Sequence, residues 1–334
     1  MRLEKAVQAV ENCTAFRFFK RSTMKKHICL LAMIAAIFSL CGCGFQPPAS
    51  KYQTNNVTRV TVILPHEDDI YWGDVKRGIE DHIEECEQWN IDIQVQIAQL
   101  NYNISQMTQL INRAIAARTD VIVVQGTQDK DFVSSMREAI SQGIQVICID
   151  TDVDSDSLPE HLYIGSDNYA AGQMMGDHLA QLMHGRGSVS IMSGAEGYPN
   201  LEQRIKGIES VIERYDGMVL SEIVYDHYDA LTAGEVYHSL QSGSALACIE
   251  GTGAAAIEKV LTSSDQKFSY IVGFDNSSTI SEGIVNGIIK QDQYGIGQKL
   301  VEQLIYYQMH GNFEASEIYT KFEWVDASNE QEAE

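Results

Sequence analysis

The stretch "DVIVVQGTQDKDFVSSMREAISQGIQVICID", residues 120–150, shows the fold in miniature. Val121 to Val124 form an unbroken β-branched run. A strand with one wet face alternates apolar and polar residues, so a continuous run belongs to a sheet covered on both sides. "DFVSSMREAISQG" then reads as a helix that stops on Gly143, the residue type that best tolerates a helix C-terminus. "IQVICID" is a second apolar strand. Strand, helix and strand of this composition make the unit of a parallel α/β sheet.

The same unit repeats in both directions. Upstream, "RVTVIL" and "IDIQVQIA" are strands, with a helix expected over 72–89 between them. Ile104, Met107, Leu110, Ile111, Ala114 and Ile115 recur at three and four residues, which marks one face of a helix. Downstream the pattern restarts near "YIGSDNYAAGQ", with a helix to about residue 183. Strands "SVSIMSG", "MVLSEIVY", "ALACIE" and "YIVGFD" follow, with helices expected over 201–214, 230–241, 254–261 and 279–285. "GIIKQD" is a short strand, 296–309 a last helix and "IYTKFEWV" a single closing strand. Two successive arrays in 334 residues imply two doubly wound α/β lobes.

The charge is uneven. The chain carries a net −22, yet residues 1–43 hold seven Lys/Arg against two acids. The rest is therefore still more acidic and repels phosphate backbones, which disfavours nucleic acid as a partner. The basic start has its own explanation. From Met24, "MKKHICLLAMIAAIFSLCGCG" has a basic head, an apolar core and small residues at its end, the pattern of a secretory signal. Leu40-Cys41-Gly42-Cys43 resembles a bacterial lipobox, which implies cleavage before Cys43 and a lipid on its sulfur. Of the seven cysteines, only Cys86, Cys148 and Cys248 follow Cys43; no metal-type C-x-x-C pair occurs among them, and Cys148 and Cys248 read as small buried hydrophobes.

In an open parallel sheet, ligands bind beyond the carboxyl ends of the strands. Those ends carry Asp68-Asp69, Gln125-Gly126-Thr127, Asp150-Thr151-Asp152, Tyr225-Asp226-His227-Tyr228, Glu250-Gly251-Thr252 and Asp275-Asn276. Carboxylates and hydroxyls accept hydrogen bonds and aromatic faces stack, which together suit a sugar. Tyr71-Trp72 adds two aromatics where the first strand hands over to a helix. "GTGAAA" at 251–256 matches a dinucleotide fingerprint, but it lies deep in the second array rather than at its first turn. Asp150, Asp152, Asp154 and Asp156 are spaced like a calcium loop, yet Ser155 replaces the turn glycine and His161 stands at the twelfth place. No nucleophile–base pairing is visible, so neither an enzyme nor a bound cofactor or metal is expected.

With "YIGSDNYAAGQMMGDHL", "QRIKGIE", "YIVGFDNS" and the Gln291-x5-Gly297 spacing in hand, residues 58–325 resemble a type I periplasmic binding protein of the ribose/galactose-binding family. The resemblance implies two doubly wound parallel-sheet lobes joined by a three-strand hinge, with crossings near 165–166, 290–291 and 319–322. It implies a division into signal segment 1–43, linker 44–57, a first lobe of 58–165 plus 292–320, a second of 166–291 plus 321–326, and an acidic tail 327–334. It also implies ligand contacts from Asp69, Tyr71, Trp72, Asp150, Arg204, Tyr228, Glu250, Asp275 and Gln291. Tyr71-Trp72 would be a stacking platform, and Thr151 stands where the family often has arginine. The implied protein is a monomer tethered to the lipid bilayer through Cys43. It would capture a sugar-like ligand and show the closed form to the permease of an ABC importer or to a membrane sensor. The excess of acids over Arg204 also admits a cationic ligand. A repressor on the same scaffold would need a basic helix-turn-helix, and residues 1–57 offer a signal sequence instead.

Overall fold

The computed structural model describes residues 57–66, 70–100, 102–261, 266–275, 280 and 283–329. The signal segment, Cys43, Asp69 and residues 330–334 lie outside them.

The first lobe is built from β1 (Thr58–Leu64), α1 (Ile70–Glu80), α2 (Ile83–Gln88), β2 (Ile91–Ile97), α3 (Ile104–Ala116), β3 (Val121–Gln125), α4 (Lys130–Ser141), β4 (Gln145–Ile149) and β5 (Leu162–Ser166). The second follows with α5 (Asn168–Leu182), β6 (Arg186–Ser193), α6 (Pro199–Ile212), β7 (Gly217–Tyr225), α7 (Ala230–Ser239), β8 (Gly243–Cys248), α8 (Gly251–Val260), β9 (Phe268–Phe274) and β10 (Gly287–Gln291). The chain then returns through α9 (Gln293–His310) and ends in β11 (Glu317–Thr320) and β12 (Phe322–Val325). The sheets run β11-β5-β4-β3-β1-β2 and β12-β10-β9-β8-β6-β7. All pairings are parallel except β12 on β10. Three segments join the lobes: after β5, after β10, and between β11 and β12.

The Val121–Val124 run does what its composition requires. Val121 and Val123 pack into one apolar cluster, Ile122 and Val124 into a second, and all four are fully buried. Alternate side chains thus reach opposite faces of the sheet, each covered by helices.

Three expectations need correction. The helix expected over 72–89 is two helices, α1 and α2. The ring Nδ1 of His82 bonds the Gly78 carbonyl (2.9 Å), which its own backbone N–H would otherwise take, and that N–H goes to Ile79 instead. The single closing strand is divided at Lys321, because β11 belongs to the first sheet and β12 to the second. Over 279–285, the described residues 280 and 283–285 are turn and bend, with Gly283 at a left-handed φ of 76°.

One helix contact sets up the site. A methyl group on Gly172 of α5 would strike the Arg204 carbonyl of α6, and one on Gly207 would strike the Tyr169 carbonyl. Glycine at both places lets the helices touch backbone to backbone. Arg204 is thereby brought beside Asn168 at the start of α5.

Candidate functional site

A cavity of about 700 Å³ lies between the lobes, at the carboxyl ends of both sheets. It is lined by Tyr71, Trp72, Asp150, Arg204, Tyr228, Glu250, Asp275 and Gln291, every described residue expected there. Asp69 lies outside the described residues.

On the first lobe, Asp150 follows β4 in a left-handed conformation (φ 64°) that an Asp tolerates better than most residues. Its carboxylate accepts from the Tyr71 hydroxyl at 2.5 Å, from Gln125 Nε2 at 2.8 Å and from the Thr151 hydroxyl at 3.0 Å. Tyr163 donates to its backbone carbonyl. The carboxylate is thus held by neutral donors, and Thr151 replaces the expected arginine without leaving it bare. Burial, followed by the charges of Asp150 and Asp275, pushes the Tyr71 hydroxyl well above its usual range, so it stays a donor. Trp72 is only 2 % exposed and packs in the core. Its ring meets Tyr71 edge-on at 5.2 Å, and its indole N–H donates to the Tyr102 hydroxyl. Tyr71 and Trp72 thus have distinct placements: Tyr71 binds Asp150 through its tip, and Trp72 anchors the wall behind it.

On the second lobe, Arg204 is 3 % exposed and lies over Phe274, 3.9 Å from the ring centroid. Its Nε donates to Asn168, Nη1 to the Ile249 carbonyl and Nη2 to Gln291 Oε1. Three of the five guanidinium N–H groups are thus used to fix the plane. Gln291 also accepts from Ser166 and donates to Asp275 Oδ2, so it ties together two of the segments that join the lobes. Asp275 follows β9, again with a left-handed φ of 54°. Its carboxylate also accepts from the Gln291 backbone and Gln293 Nε2. Burial pushes its pKa up to about 6 against the opposing pull of Arg204 and of the Gln291 bonds.

Glu250 has a local duty as well. It caps α8, accepting from the Thr252 and Gly253 backbone N–H groups at 2.8 Å each. A carboxylate is well placed there, because a helix N-terminus favours negative charge. Behind it lies Asp226, fully buried, whose Oδ1 accepts from the Tyr228 backbone while Oδ2 has no donor among the described residues. Burial, followed by the charge of neighbouring Glu250, pushes Asp226 up to about 8. Tyr228 is 46 % exposed and meets Tyr198 edge-on at the cavity mouth. Asn200 of α6 reaches across to the Thr151 hydroxyl at 3.3 Å, a direct bond between the lobes.

Sequence reasoning missed the supporting partners Gln125, Asn168, Asn200 and Tyr102, and gave Asp226 no role. Gln125 and Asp226 stood among the strand-end residues, which was a usable signal. Asn200 and Tyr102 carry none in a single sequence, because only the tertiary fold brings them to the cavity.

Two similar lobes, a polar interlobe cavity and three connecting segments define a two-lobed binding protein. A family model described as "Periplasmic binding protein domain" matches residues 60–311, and the chain belongs to that family. It is 25 % identical over 193 residues to a D-apiose import binding protein of Paraburkholderia graminis, covering 56 % of this chain and 61 % of that one. It is 23 % identical over 218 residues to a D-ribose/D-allose-binding protein of Pseudomonas aeruginosa, covering 58 % and 64 %. The matched region therefore spans less than two thirds of these curated relatives, both of which are named as binding proteins rather than enzymes. In fold, the chain is similar to GanP, a glucose-galactose binding protein from Geobacillus stearothermophilus. The TM-score is 0.74 at 23 % identity, covering 82 % of this chain and 99 % of GanP.

Proposed function

We propose that the protein works outside the cytoplasm as a solute-binding protein. It captures a sugar or sugar-like ligand between its lobes and presents the closed form to an ABC importer in the membrane. The observation that carries this reading is the polar ring around the cavity. Asp150, Glu250, Asp275, Gln291 and Arg204 come from both lobes, and each is held in place by bonds to other protein groups. Fixed acceptors and donors of this kind match the hydroxyls of a monosaccharide without reorganising, and the cavity is within the usual range for a small ligand. Tyr71 and Tyr228 supply aromatic surface for the apolar face of the ring, with Trp72 packed behind Tyr71. Asp69 would add a further acceptor. Closure around the ligand favours one arrangement of the lobes, and a membrane partner reads that arrangement. A lipid on Cys43 would keep the protein at the membrane.

A cationic ligand is the second reading. Asp150, Glu250 and Asp275 line the cavity with Arg204 as the only described Lys or Arg there, and an amino sugar would balance that excess of acids. A thermal-shift screen of pentoses, hexoses, amino sugars, polyols and amines tests both. A ligand at a hundred times its dissociation constant should stabilise the fold by about 2.7 kcal/mol, a shift of several degrees. A hit among neutral sugars that survives Glu250→Gln supports sugar capture. Hits confined to amines and lost in Glu250→Gln support the cationic reading. No shift across the panel on folded protein would overturn both.

A further inference from the structure

The loop between β4 and β5 brings together three side chains that the ligand cavity does not use. Cys148 lies on β4, Asp152 follows it after Asp150 and Thr151, and His161 immediately precedes β5. One ligand atom from each (thiol sulfur, carboxylate oxygen and imidazole nitrogen) lies within 4.8 Å of the other two. The two strands are paired in parallel, with Cys148 opposite Tyr163, so the base of the group is fixed by the sheet.

We propose that Cys148, Asp152 and His161 form a binding site for one zinc ion, with a solvent water as fourth ligand. The donor set suits that metal: a thiolate, an imidazole and a carboxylate are its usual protein ligands, and zinc takes four in a tetrahedron. Ligand atoms around such an ion stand about 3.3–3.6 Å apart, as follows from metal–ligand distances of about 2.0–2.3 Å. Nε2 of His161 and Oδ1 of Asp152 are now 2.6 Å apart. They would have to open by only about 0.7 Å to reach the tetrahedral spacing. His161 is already oriented as a ligating histidine is. Its Nδ1 donates to the Leu158 carbonyl, which fixes the ring and leaves Nε2 pointing at the other two groups.

The surroundings allow a metal in without breaking the core. Cys148 is fully buried, the His161 side chain is 7 % exposed and that of Asp152 is 30 % exposed. The water and the ion would therefore arrive from the Asp152 side. The ion would displace the thiol proton of Cys148 and the proton His161 shares with Asp152, as metal binding to such ligands requires. The ion would clip the loop whose first residues, Asp150 and Thr151, face the ligand cavity.

The test is a cobalt titration of the full-length protein after treatment with a chelator, with zinc as competitor. We expect one equivalent of Co²⁺ to give the absorption of a tetrahedral thiolate site, including a sulfur-to-cobalt charge-transfer band, and Zn²⁺ to displace it. Cys148→Ala should abolish the charge-transfer band. His161→Gln, with its fold verified by circular dichroism, should weaken binding about tenfold or more. Glu160→Gln, next to the site, should change neither. An absent charge-transfer band at one equivalent would overturn the proposal. So would a band unaffected by Cys148→Ala, or cobalt affinity unchanged in folded His161→Gln.

Discussion

The two lobes are copies in topology and differ in electrostatics. Each sheet has one strand order, β2-β1-β3-β4-β5 in the first and β7-β6-β8-β9-β10 in the second, with one late strand added at the edge. Each places an aspartate with left-handed backbone just after its fourth strand, Asp150 after β4 and Asp275 after β9. Their surroundings then diverge. Asp150 is held by a phenol, an amide and a hydroxyl. Asp275 belongs to a network centred on Gln291 and the buried guanidinium of Arg204, and two further acids, Glu250 and Asp226, stand nearby on the same lobe. One scaffold therefore offers the ligand a carboxylate held by neutral donors on one side and a wall of several acids around a buried guanidinium on the other.

The largest test of this contrast is Arg204→Met. The side chain fits the space over Phe274, but Asn168 Oδ1, the Ile249 carbonyl and Gln291 lose a donor inside the protein. Nearby carboxylates also lose their counter-charge. Removing one member of a buried charged network costs about 3–5 kcal/mol. Urea unfolding should show a loss in that range together with loss of ligand binding. A stable variant with intact binding would mean that the second wall does not depend on its cation.

The second test uses pH, and the lobes should respond differently. Asp226 is pushed up to about 8 and Asp275 to about 6 by burial first. A carboxyl whose pKa is raised on folding binds more protons in the native state than in the unfolded state. Stability therefore falls as pH rises from the unfolded value near 4 to the folded value, and is flat beyond it. The acidic wall should thus make the protein less stable at pH 9 than at pH 5, by on the order of a few kcal/mol. Asp226→Asn should remove most of the part between pH 6 and 8. Urea midpoints measured at pH 5, 7 and 9 decide it, and equal slopes for the two proteins would place the pH dependence elsewhere.

How much of this was legible beforehand follows from the range of each interaction. The apolar runs at 121–124 and 146–149 declared a covered parallel sheet, because composition and period are local properties. Asp150, Glu250 and Asp275 were findable because they follow strands and such ends form the rim. The break at His82 was not legible, since it depends on a side chain competing for one carbonyl. The division at Lys321 escaped for another reason: "IYTKFEWV" is a good strand throughout, and only the presence of two sheets makes it change partner. Trp72 looked like a ligand surface beside Tyr71, yet the helix turns it toward the core. Asp226 is the sharpest case. Its pKa is raised first by burial and then by the charge of Glu250, twenty-four residues further along the chain.

The smallest effect tests the wall around Asp150. Tyr71→Phe removes the hydroxyl that donates to Asp150 and leaves the ring against Trp72. Gln125 and Thr151 still hold the carboxylate, so no charge is stranded without a donor. The lost bond has a charged acceptor, and such bonds contribute about 1.5–3 kcal/mol. Asp150 lines the cavity, however, and water there can replace the phenol. The expected loss is therefore at the low end, about 1–2 kcal/mol, well under that of Arg204→Met. Its dependence on pH between 6 and 9 should match that of the unmodified protein, because Tyr71 remains a neutral donor throughout. The decisive comparison is with Asp226→Asn in the same pH series. If Tyr71→Phe also flattened the curve, the two walls would be electrostatically coupled, and the division of labour between the lobes would fail at Asp150.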